Sequence, residues 1–230
     1  MKKLLAMLLL AITVMACKNE VKNEVTEVQE KEVEFNQELA DELARMVEVD
    51  QVAANIPQGK YKEMSQQEWK AFKDSVFTTH QLRLEEIFDE HGFVGFDLAG
   101  REGSQNFWLM VQHSDHKPEF QKEVLKKMKI EVDKDNAIPS NYGLLLDRVK
   151  INSGEKQVYG TQVTYNHNTG QAYPKPLADS VTVNERRKEI GLEPLEVYLN
   201  GMTQLHFQWN KEMLQKKGIT EPKLYETESR

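Results

Sequence analysis

Apolar residues recur at intervals of three and four positions along most of this chain, and this spacing constrains its fold more than any other feature. The first such stretch follows Asn36, whose side chain can cap a helix, and extends to about Asn55. Its apolar stripe consists of Leu39, Leu43, Met46 and Val47. A stretch with this period buries one face against other elements, so the sequence predicts a mainly α-helical domain.

Capping and breaking signals place the other helices. A capping box, Ser65 with Glu68 three positions later, starts a helix that stops near Gly92. Residues 107–111 are apolar on all sides, as expected of a central buried helix. Further helices are predicted at about 118–134, 140–154, 181–190, 193–199 and 200–217. The glycine-punctuated stretch 91–104 is predicted to be a connection.

The hydrophobic period changes after Gln157. Val163 and Tyr165 lead into the turn cluster 166–170, and Ala172 follows it, which is the pattern of a β-hairpin. The predicted fold is therefore mainly α: a helical bundle or an array of helical hairpins, with one small β-hairpin near the C-terminal third.

The first sixteen residues have the layout of a secretory signal. Two lysines precede the apolar run Leu4–Val14, which is too short to span a bilayer, and Ala16 comes just before Cys17. Residues 14–17 resemble the lipobox of bacterial lipoproteins, which implies that Cys17 becomes the acylated, palmitate-bearing first residue of the mature chain. The predicted partner is then a membrane, to which the acyl chains on Cys17 bind. The alternative is an ordinary signal peptide with a chance cysteine.

Residues 18–34 are acidic, repetitive and without aromatic side chains, and are predicted to form a tether, either a coil or a frayed helix. Lys18 and Glu20 resemble the surface-export signal of Bacteroidetes-type lipoproteins, which favours an outer-membrane, surface-exposed location. The predicted boundaries are 1–16 for the signal peptide, 17–35 for the lipidated cysteine and tether, 36–200 for the helical domain, and 201–230 for a last helix and a loose tail.

The charge balance excludes one class of partner. The chain has a net charge of −7, and loss of Lys2 and Lys3 with the signal peptide makes it −9. An acidic domain without a basic stripe is a poor nucleic-acid binder, because cationic side chains that neutralise phosphates supply most of that affinity. The single cysteine also excludes an internal disulfide and a cysteine-based metal cluster.

Charged and titratable residues fall on apolar helix faces. Asp50 comes about three turns after Leu39 and so lies inside the first apolar stripe. His80 and Arg83 fall on the apolar face of the second helix. Because burial of an isolated charge is very unfavourable, Asp50 and Arg83 are expected to pair. Such a pair can belong to a site, or it can be a buried salt bridge that fixes helix register.

A second polar group follows the central buried helix. His113, Asp115 and His116 can form an acid–base pair or contribute to a metal site, or they can cap the helix and start the next turn. Their spacing matches neither His-x₃-His nor His-Glu-x-x-His, and no metal is predicted. Asp147 and Arg148 interrupt a further apolar stretch and point about 100° apart, so each is expected to find a partner elsewhere.

Several polar motifs occur in a fixed order along the chain. They are Asp50-Gln51, Arg83-Leu84 with the His91-Gly92 helix stop, residues 111–115, Phe120-Gln121, Asp147-Arg148, residues 159–162, and Glu185-Arg186-Arg187 followed by residues 191–195. Together they resemble an uncharacterised bacterial family, domain of unknown function 6624, over roughly Gln37 to Asn200. The resemblance implies a helical domain. It implies no activity and no catalytic residues.

Two functions are consistent with these residues. One is an envelope or extracellular hydrolase, with His113 as general acid or base and Asp115 or Asp147 as the carboxylate that orients it. The groups expected to contact its ligand are Asp50, Arg83, Gln112, Arg148, Tyr159, Gln162 and Arg187. The other is a binding or assembly module, in which the same residues form an internal network. The second is favoured, because a buried polar network does not imply catalysis and no Gly-x-Ser-x-Gly motif occurs. The sequence identifies no cofactor.

Overall fold

The computed structural model describes residues 33–227. The predicted signal peptide, Cys17 and the tether as far as residue 32 lie outside them. Within 33–227 the chain forms eight α-helices, one 3₁₀ segment and one two-stranded sheet, which confirms the predicted mainly α fold with a small hairpin. The elements are α1 Gln37–Ala54, the 3₁₀ segment Gly59–Glu63, α2 Gln66–His91, α3 Phe96–Gln112, α4 Pro118–Asp133, α5 Pro139–Asn152, β1 Val163–Tyr165, β2 Ala172–Pro174, α6 Val183–Glu189, α7 Leu195–Trp209 and α8 Lys211–Lys216.

Side-chain caps set the N-termini of the first two helices, as predicted. The Asn36 side chain accepts a hydrogen bond from the Leu39 amide at 3.0 Å. At the start of α2, Ser65 and Glu68 form the reciprocal capping box. Each cap satisfies main-chain N–H groups that a helix leaves without an internal partner.

The predicted connection at 91–104 is wrong, because α3 begins at Phe96. Two of its glycines have different roles in α3. Gly100 has φ +70° and non-helical backbone angles, so the helix is kinked there. Gly103 stays helical and faces α1: a Cβ at this position would lie 2.7 Å from Ala99 Cβ of α3 itself and in ordinary contact with Ala40 of α1, 3.7 Å from its Cα.

The helices α1 to α5 together form the main core, and α3 passes through it. Phe107, Met110 and Val111 are fully buried, as predicted for a central helix. α1 and α3 run side by side in the same direction, because Gly103 lies against Ala40 while His113 contacts Asp50. Trp108, near the end of α3, donates from Nε1 to the Asn141 carbonyl of α5 at 2.8 Å.

A second, smaller core packs the hairpin against α6 and α7. Its buried residues are Ala172, Val183, Leu195 and Leu199. The hairpin is antiparallel, and β2 is held to α7 by a hydrogen bond from the Ala172 amide to Thr203 Oγ1. The Tyr225 hydroxyl donates to the Ala172 carbonyl, so the predicted loose tail is wrong at this residue.

The helices predicted at 193–199 and 200–217 are confirmed as helical over most of their length, but the division between them is wrong. α7 runs without a break from Leu195 to Trp209, and α8 follows it. The predicted domain boundary at residue 200 therefore falls inside a helix. Gly201 does not end α7, since a glycine inside a helix is only about 1 kcal/mol less favourable than alanine. In the part of the chain from 33 to 227, no helix has the length and apolar character needed to cross a bilayer.

A pair of helical glycines tests the contact between α5 and the segment after α6. A Cβ on Gly143 would clash with Ile190 Cδ1 and lie 3.2 Å from Tyr159 Cδ2. Gly143→Ala is therefore expected to lower the free energy of unfolding by about 1–2 kcal/mol, measured by urea denaturation. Gly201→Ala is the matched control, since nothing lies within 4 Å of a Cβ there, and it should stabilise the chain by up to about 1 kcal/mol. Equal effects of the two substitutions would contradict the close contact at Gly143.

Candidate functional site

Asp50 is the carboxylate around which the candidate site is built. Its side chain is 1% exposed. His113, which follows the last residue of α3, places its Nδ1 2.7 Å from Asp50 Oδ1. Gln51 donates to the same oxygen from Nε2 at 3.2 Å. A carboxylate accepts at this distance, so His113 Nδ1 carries the proton of the hydrogen bond.

His80 of α2 is the second imidazole at this carboxylate. Its Nδ1 lies 3.9 Å from Asp50 Oδ2, too far for a hydrogen bond. Both of these atoms are buried and have no hydrogen-bond partner. Asp50, Gln51, His80 and His113 together are called the Asp50 cluster below.

α2 contributes two further side chains on the face that carries His80. The Phe77 ring packs against His113 with centroids 5.2 Å apart. Gln81, one turn after Phe77, is fully buried, and neither atom of its amide has a hydrogen-bond partner. Buried polar groups are nearly always hydrogen-bonded, so these unpaired atoms are unusual. Within 33–227, Gln121 Oε1 and Arg187 Nη2 are likewise buried without a partner.

The Asp50 cluster keeps its carboxylate ionised. Burial alone would raise the pKa of Asp50. The hydrogen bonds from His113 and Gln51, together with the nearby His80, outweigh burial, and the pKa of Asp50 lies below its ordinary value. His113 is 20% exposed at its side chain, and its second ring nitrogen, Nε2, has no hydrogen-bond partner among residues 33–227. A carboxylate on Nδ1 therefore orients an imidazole whose Nε2 can exchange a proton.

Asp115 does not orient His113. It pairs with Arg148 of α5 through two hydrogen bonds, Nε to Oδ1 at 2.8 Å and Nη2 to Oδ2 at 2.6 Å. Gln121 and Asn152 donate to the same carboxylate. The pair thus ties the chain after α3 to α5. Gln112 takes part only through its main-chain carbonyl, which accepts from Gln121.

Asp147 does not orient His113 either, because its carboxylate holds a loop. It is fully buried and accepts hydrogen bonds from the main-chain N–H groups of Val158, Tyr159 and Thr161, and from the Thr161 hydroxyl. Gln162, at the end of the loop, exchanges two hydrogen bonds with Gln157. The expectation that Asp147 and Arg148 meet separate partners is confirmed.

Two arginines of α6 hold the carbonyl groups of the same loop. Arg186 donates to the Val158 carbonyl from Nε and Nη2. Arg187 is fully buried, donates to the Tyr159 carbonyl at 2.7 Å, and lies over the Tyr198 ring. Burial lowers the pKa of Arg187. Tyr159 and Arg187, predicted as ligand contacts, therefore belong to the packing of this loop.

The predicted pair of Asp50 and Arg83 is wrong. Arg83 donates to both carboxylate oxygens of Glu42, at 2.6 and 3.0 Å, and also to Glu86. Histidines occupy the position opposite Asp50 instead. The residues predicted to form one site are thus divided among three places: Asp50 with His113, Asp115 with Arg148, and the loop that Asp147 and Arg187 hold at Tyr159. No side-chain hydrogen bond or ion pair within 33–227 links the Asp50 cluster to the Asp115–Arg148 pair or to the Asp147 loop.

Sequence reasoning did not assign Gln51, Phe77, His80 or Gln81 to a site. Their signal was present in part, since Gln81 is a polar residue in the same buried stripe as Leu84. Among the described residues, no group of three or more histidine, cysteine or acidic side chains has the arrangement needed to hold a metal ion.

The pH dependence of stability tests the charge on Asp50. A carboxylate whose pKa is depressed on folding stabilises the fold above its unfolded pKa, about 3.9, and loses that contribution as the pH falls through its folded value. Asp50→Asn is expected to lower the free energy of unfolding by about 1–3 kcal/mol at pH 7. The difference from wild type should shrink below about pH 4 in urea denaturation.

Asp133→Asn is the control for this substitution. Asp133 forms an exposed ion pair with Lys129, and such pairs contribute about 0–1 kcal/mol. A difference between wild type and Asp50→Asn that stays constant from pH 7 to pH 2.5 would contradict a buried, ionised Asp50.

The comparisons with known proteins identify a family without an activity. No curated protein and no solved structure matches this chain. The model of a family described as "Family of unknown function (DUF6624)" matches residues 37–206. This range contains the Asp50 cluster, the Asp115–Arg148 pair and the Asp147 loop, and it covers most of the chain. The chain therefore belongs to this family of unknown function, DUF6624.

Proposed function

We propose that this chain is an exported, lipid-anchored envelope protein whose helical domain binds a ligand at His113. The observation that carries the proposal is the 2.7 Å hydrogen bond between His113 Nδ1 and the buried Asp50. It fixes the imidazole and leaves Nε2 to exchange a proton or a hydrogen bond with a bound molecule. The other buried acid, Asp147, has both carboxylate oxygens hydrogen-bonded to the loop and is not open to a ligand.

Hydrolysis is the second candidate function, and the same hydrogen bond favours it. A carboxylate–imidazole pair is the acid–base part of many hydrolytic sites, where it removes a proton from a hydroxyl or from water. No serine, threonine or cysteine side chain in the described part of the chain hydrogen-bonds either imidazole of the Asp50 cluster. Ser114, next to His113, is buried and donates to the Met110 carbonyl. A hydrolase at this position therefore has to activate water, and binding is the simpler function.

The reactivity of His113 tests whether Asp50 activates it. Diethyl pyrocarbonate acylates an unprotonated imidazole nitrogen, and peptide mass spectrometry gives the rate at each histidine. Asp50→Asn is expected to slow acylation of His113 by roughly tenfold, because an asparagine amide can donate to Nδ1 and hold the other tautomer. The rates at His116 and His167, which are exposed, should not change. An unchanged rate at His113 would contradict the proposal.

Turnover separates the two candidate functions. A hydrolase releases nitrophenol from p-nitrophenyl acetate over many cycles, and His113→Gln abolishes this release. A binding module releases nitrophenol no faster than an equal concentration of free imidazole, because water also removes the acetyl group from an acylated imidazole. A turnover rate far above that of free imidazole that depends on His113 would replace the binding proposal with hydrolysis.

The lipid anchor is tested at the cysteine. In bacteria grown with labelled palmitate, the wild-type chain is expected to carry the label and to sediment with membranes, since two or more acyl chains hold a protein stably at a bilayer. Cys17→Ser should remove the label and release the chain from membranes. Labelling that persists in Cys17→Ser would rule out the predicted anchor. A separate experiment, in which protease is added to intact cells, tests whether the domain is exposed at the cell surface.

A further inference from the structure

A cleft of about 450 Å³ lies where the C-terminal end of α1 meets the 3₁₀ segment. Its volume is in the range of pockets that hold small molecules. Three amide side chains, one carboxylate and two aliphatic side chains line it. They are Gln51, Asn55, Gln58, Glu48, Val52 and Ile56. Neither the Asp147 loop nor the Asp115–Arg148 pair contributes to this cleft.

The lining residues favour an uncharged ligand over an anion. They include no lysine, arginine or histidine, and their one charged side chain is Glu48. A neighbouring cation, Lys60 Nζ, lies over the Tyr61 ring, 5.1 Å from its centroid. Amides both donate and accept hydrogen bonds, and Glu48 accepts them. Groups of this kind suit a ligand with many hydroxyls, each of which also donates and accepts.

The same cleft has an apolar side. Tyr61 lines it and is held by Trp69 and Phe72, with ring centroids 5.8 and 5.2 Å away. Val52 and Ile56 add aliphatic surface, and Ile56 is 61% exposed. A sugar ring presents both kinds of surface, C–H groups on its faces and hydroxyls around its edge, and so fits apolar walls with polar groups between them.

Gln51 connects the cleft to the Asp50 cluster. Its side chain lines the cleft, and its amide donates to Asp50 Oδ1 at 3.2 Å, the long end of the hydrogen-bond range. Asp50 itself does not line the cleft: its side chain is 1% exposed, and its other oxygen, Oδ2, faces His80 Nδ1 at 3.9 Å. A ligand in the cleft therefore reaches the cluster through the Gln51 amide.

We propose that the cleft binds an uncharged sugar, one of whose hydroxyls hydrogen-bonds Gln51, the amide that donates to Asp50 beside His113. This inference rests on the proposed function, because it names the class of ligand that reaches the Asp50 cluster through Gln51. The amides of the cleft bind the remaining hydroxyls, and Tyr61 with Val52 and Ile56 covers the apolar face of the ring.

Calorimetry on the full lipidated protein tests the ligand class, in a zwitterionic detergent that has no sugar headgroup. The probes are maltotriose and triacetylchitotriose, with the anionic trimer of galacturonic acid for comparison. At least one neutral probe is expected to bind at millimolar concentration, and the anionic probe is not. Gln58→Ala and Glu48→Ala should each weaken binding by up to about tenfold, the equivalent of one lost hydrogen bond.

The variants are chosen so that folding does not obscure the result. Gln58 and Glu48 are exposed, and the Gln58 side chain makes no cap hydrogen bond to the 3₁₀ segment that it precedes. Gln105→Ala, an exposed glutamine on α3, is the matched control and should bind as wild type does. A bound sugar should also change the rate at which diethyl pyrocarbonate acylates His113, because it competes for the Gln51 amide that donates to Asp50.

The outcomes distinguish this inference from the function on which it rests. Binding of a neutral sugar that changes the acylation rate of His113 and is weakened in the cleft variants supports it. No binding of either neutral probe, equal binding of the acidic trimer, or binding that leaves the acylation rate of His113 unchanged overturns it. The effect of Asp50→Asn on the acylation rate of His113 is measured without sugar. That result therefore supports or contradicts the ligand site at His113 independently of the sugar proposal.

Discussion

The buried carboxylate of Asp147 is the interaction on which the joining of the two cores depends. It projects from α5, a helix of the main core, and accepts hydrogen bonds from three main-chain N–H groups of the loop that leads to the hairpin. The loop forms no regular structure between Gln157 and Gln162, so its main-chain groups need side-chain partners. Removing the carboxylate would leave several buried donors unpaired at once, each of which costs about 1–3 kcal/mol.

Arg187 complements Asp147 from the opposite side of the loop. Both side chains are fully buried, and the two do not form a direct ion pair. The Tyr159 N–H points to Asp147 and the Tyr159 carbonyl to Arg187, so the main chain lies between opposite charges with its dipoles aligned to both. This arrangement compensates two buried charges without bringing them into contact, which reduces the desolvation penalty that a buried charge otherwise carries.

The Asp50 cluster differs from this loop in how fully its carboxylate is paired. At Asp147 both oxygens accept hydrogen bonds, whereas Asp50 Oδ2 and His80 Nδ1 face each other at 3.9 Å without partners. Among the described residues, Arg187 Nη2 and Gln121 Oε1 are also buried without a partner, so an unpaired atom alone does not mark a ligand site. The Asp50 cluster is distinguished by a carboxylate that lies beside two imidazoles, one of which is 20% exposed.

The sequence predicts faces and ends of helices better than it predicts partners. Asn36 and Ser65 cap their helices as expected, because a cap depends on residues within one turn of each other. Arg83 meets Glu42 and not Asp50, because helical spacing gives the direction of a side chain but not which residue of another helix lies opposite. The glycines before Phe107 illustrate the same limit. A glycine can end a helix or can lie where another helix packs against it, and local sequence does not reveal that Ala40 of α1 lies against Gly103.

The parallel packing of α1 and α3 links that close approach to the candidate site. Ala40 lies against Gly103, and Asp50 contacts His113. The second pair lies ten residues after the first on both helices, so the two helices keep the same register over about 15 Å. A side chain that extends beyond Cβ at Gly103 would meet α1, since a Cβ there would already lie 3.7 Å from Ala40 Cα, and it would displace α1 from α3. Gln51 and Glu48 would move with α1, so the cleft would change in the same displacement. The placement of Asp50 opposite His113 therefore depends on helix packing that extends nearly three turns before either residue.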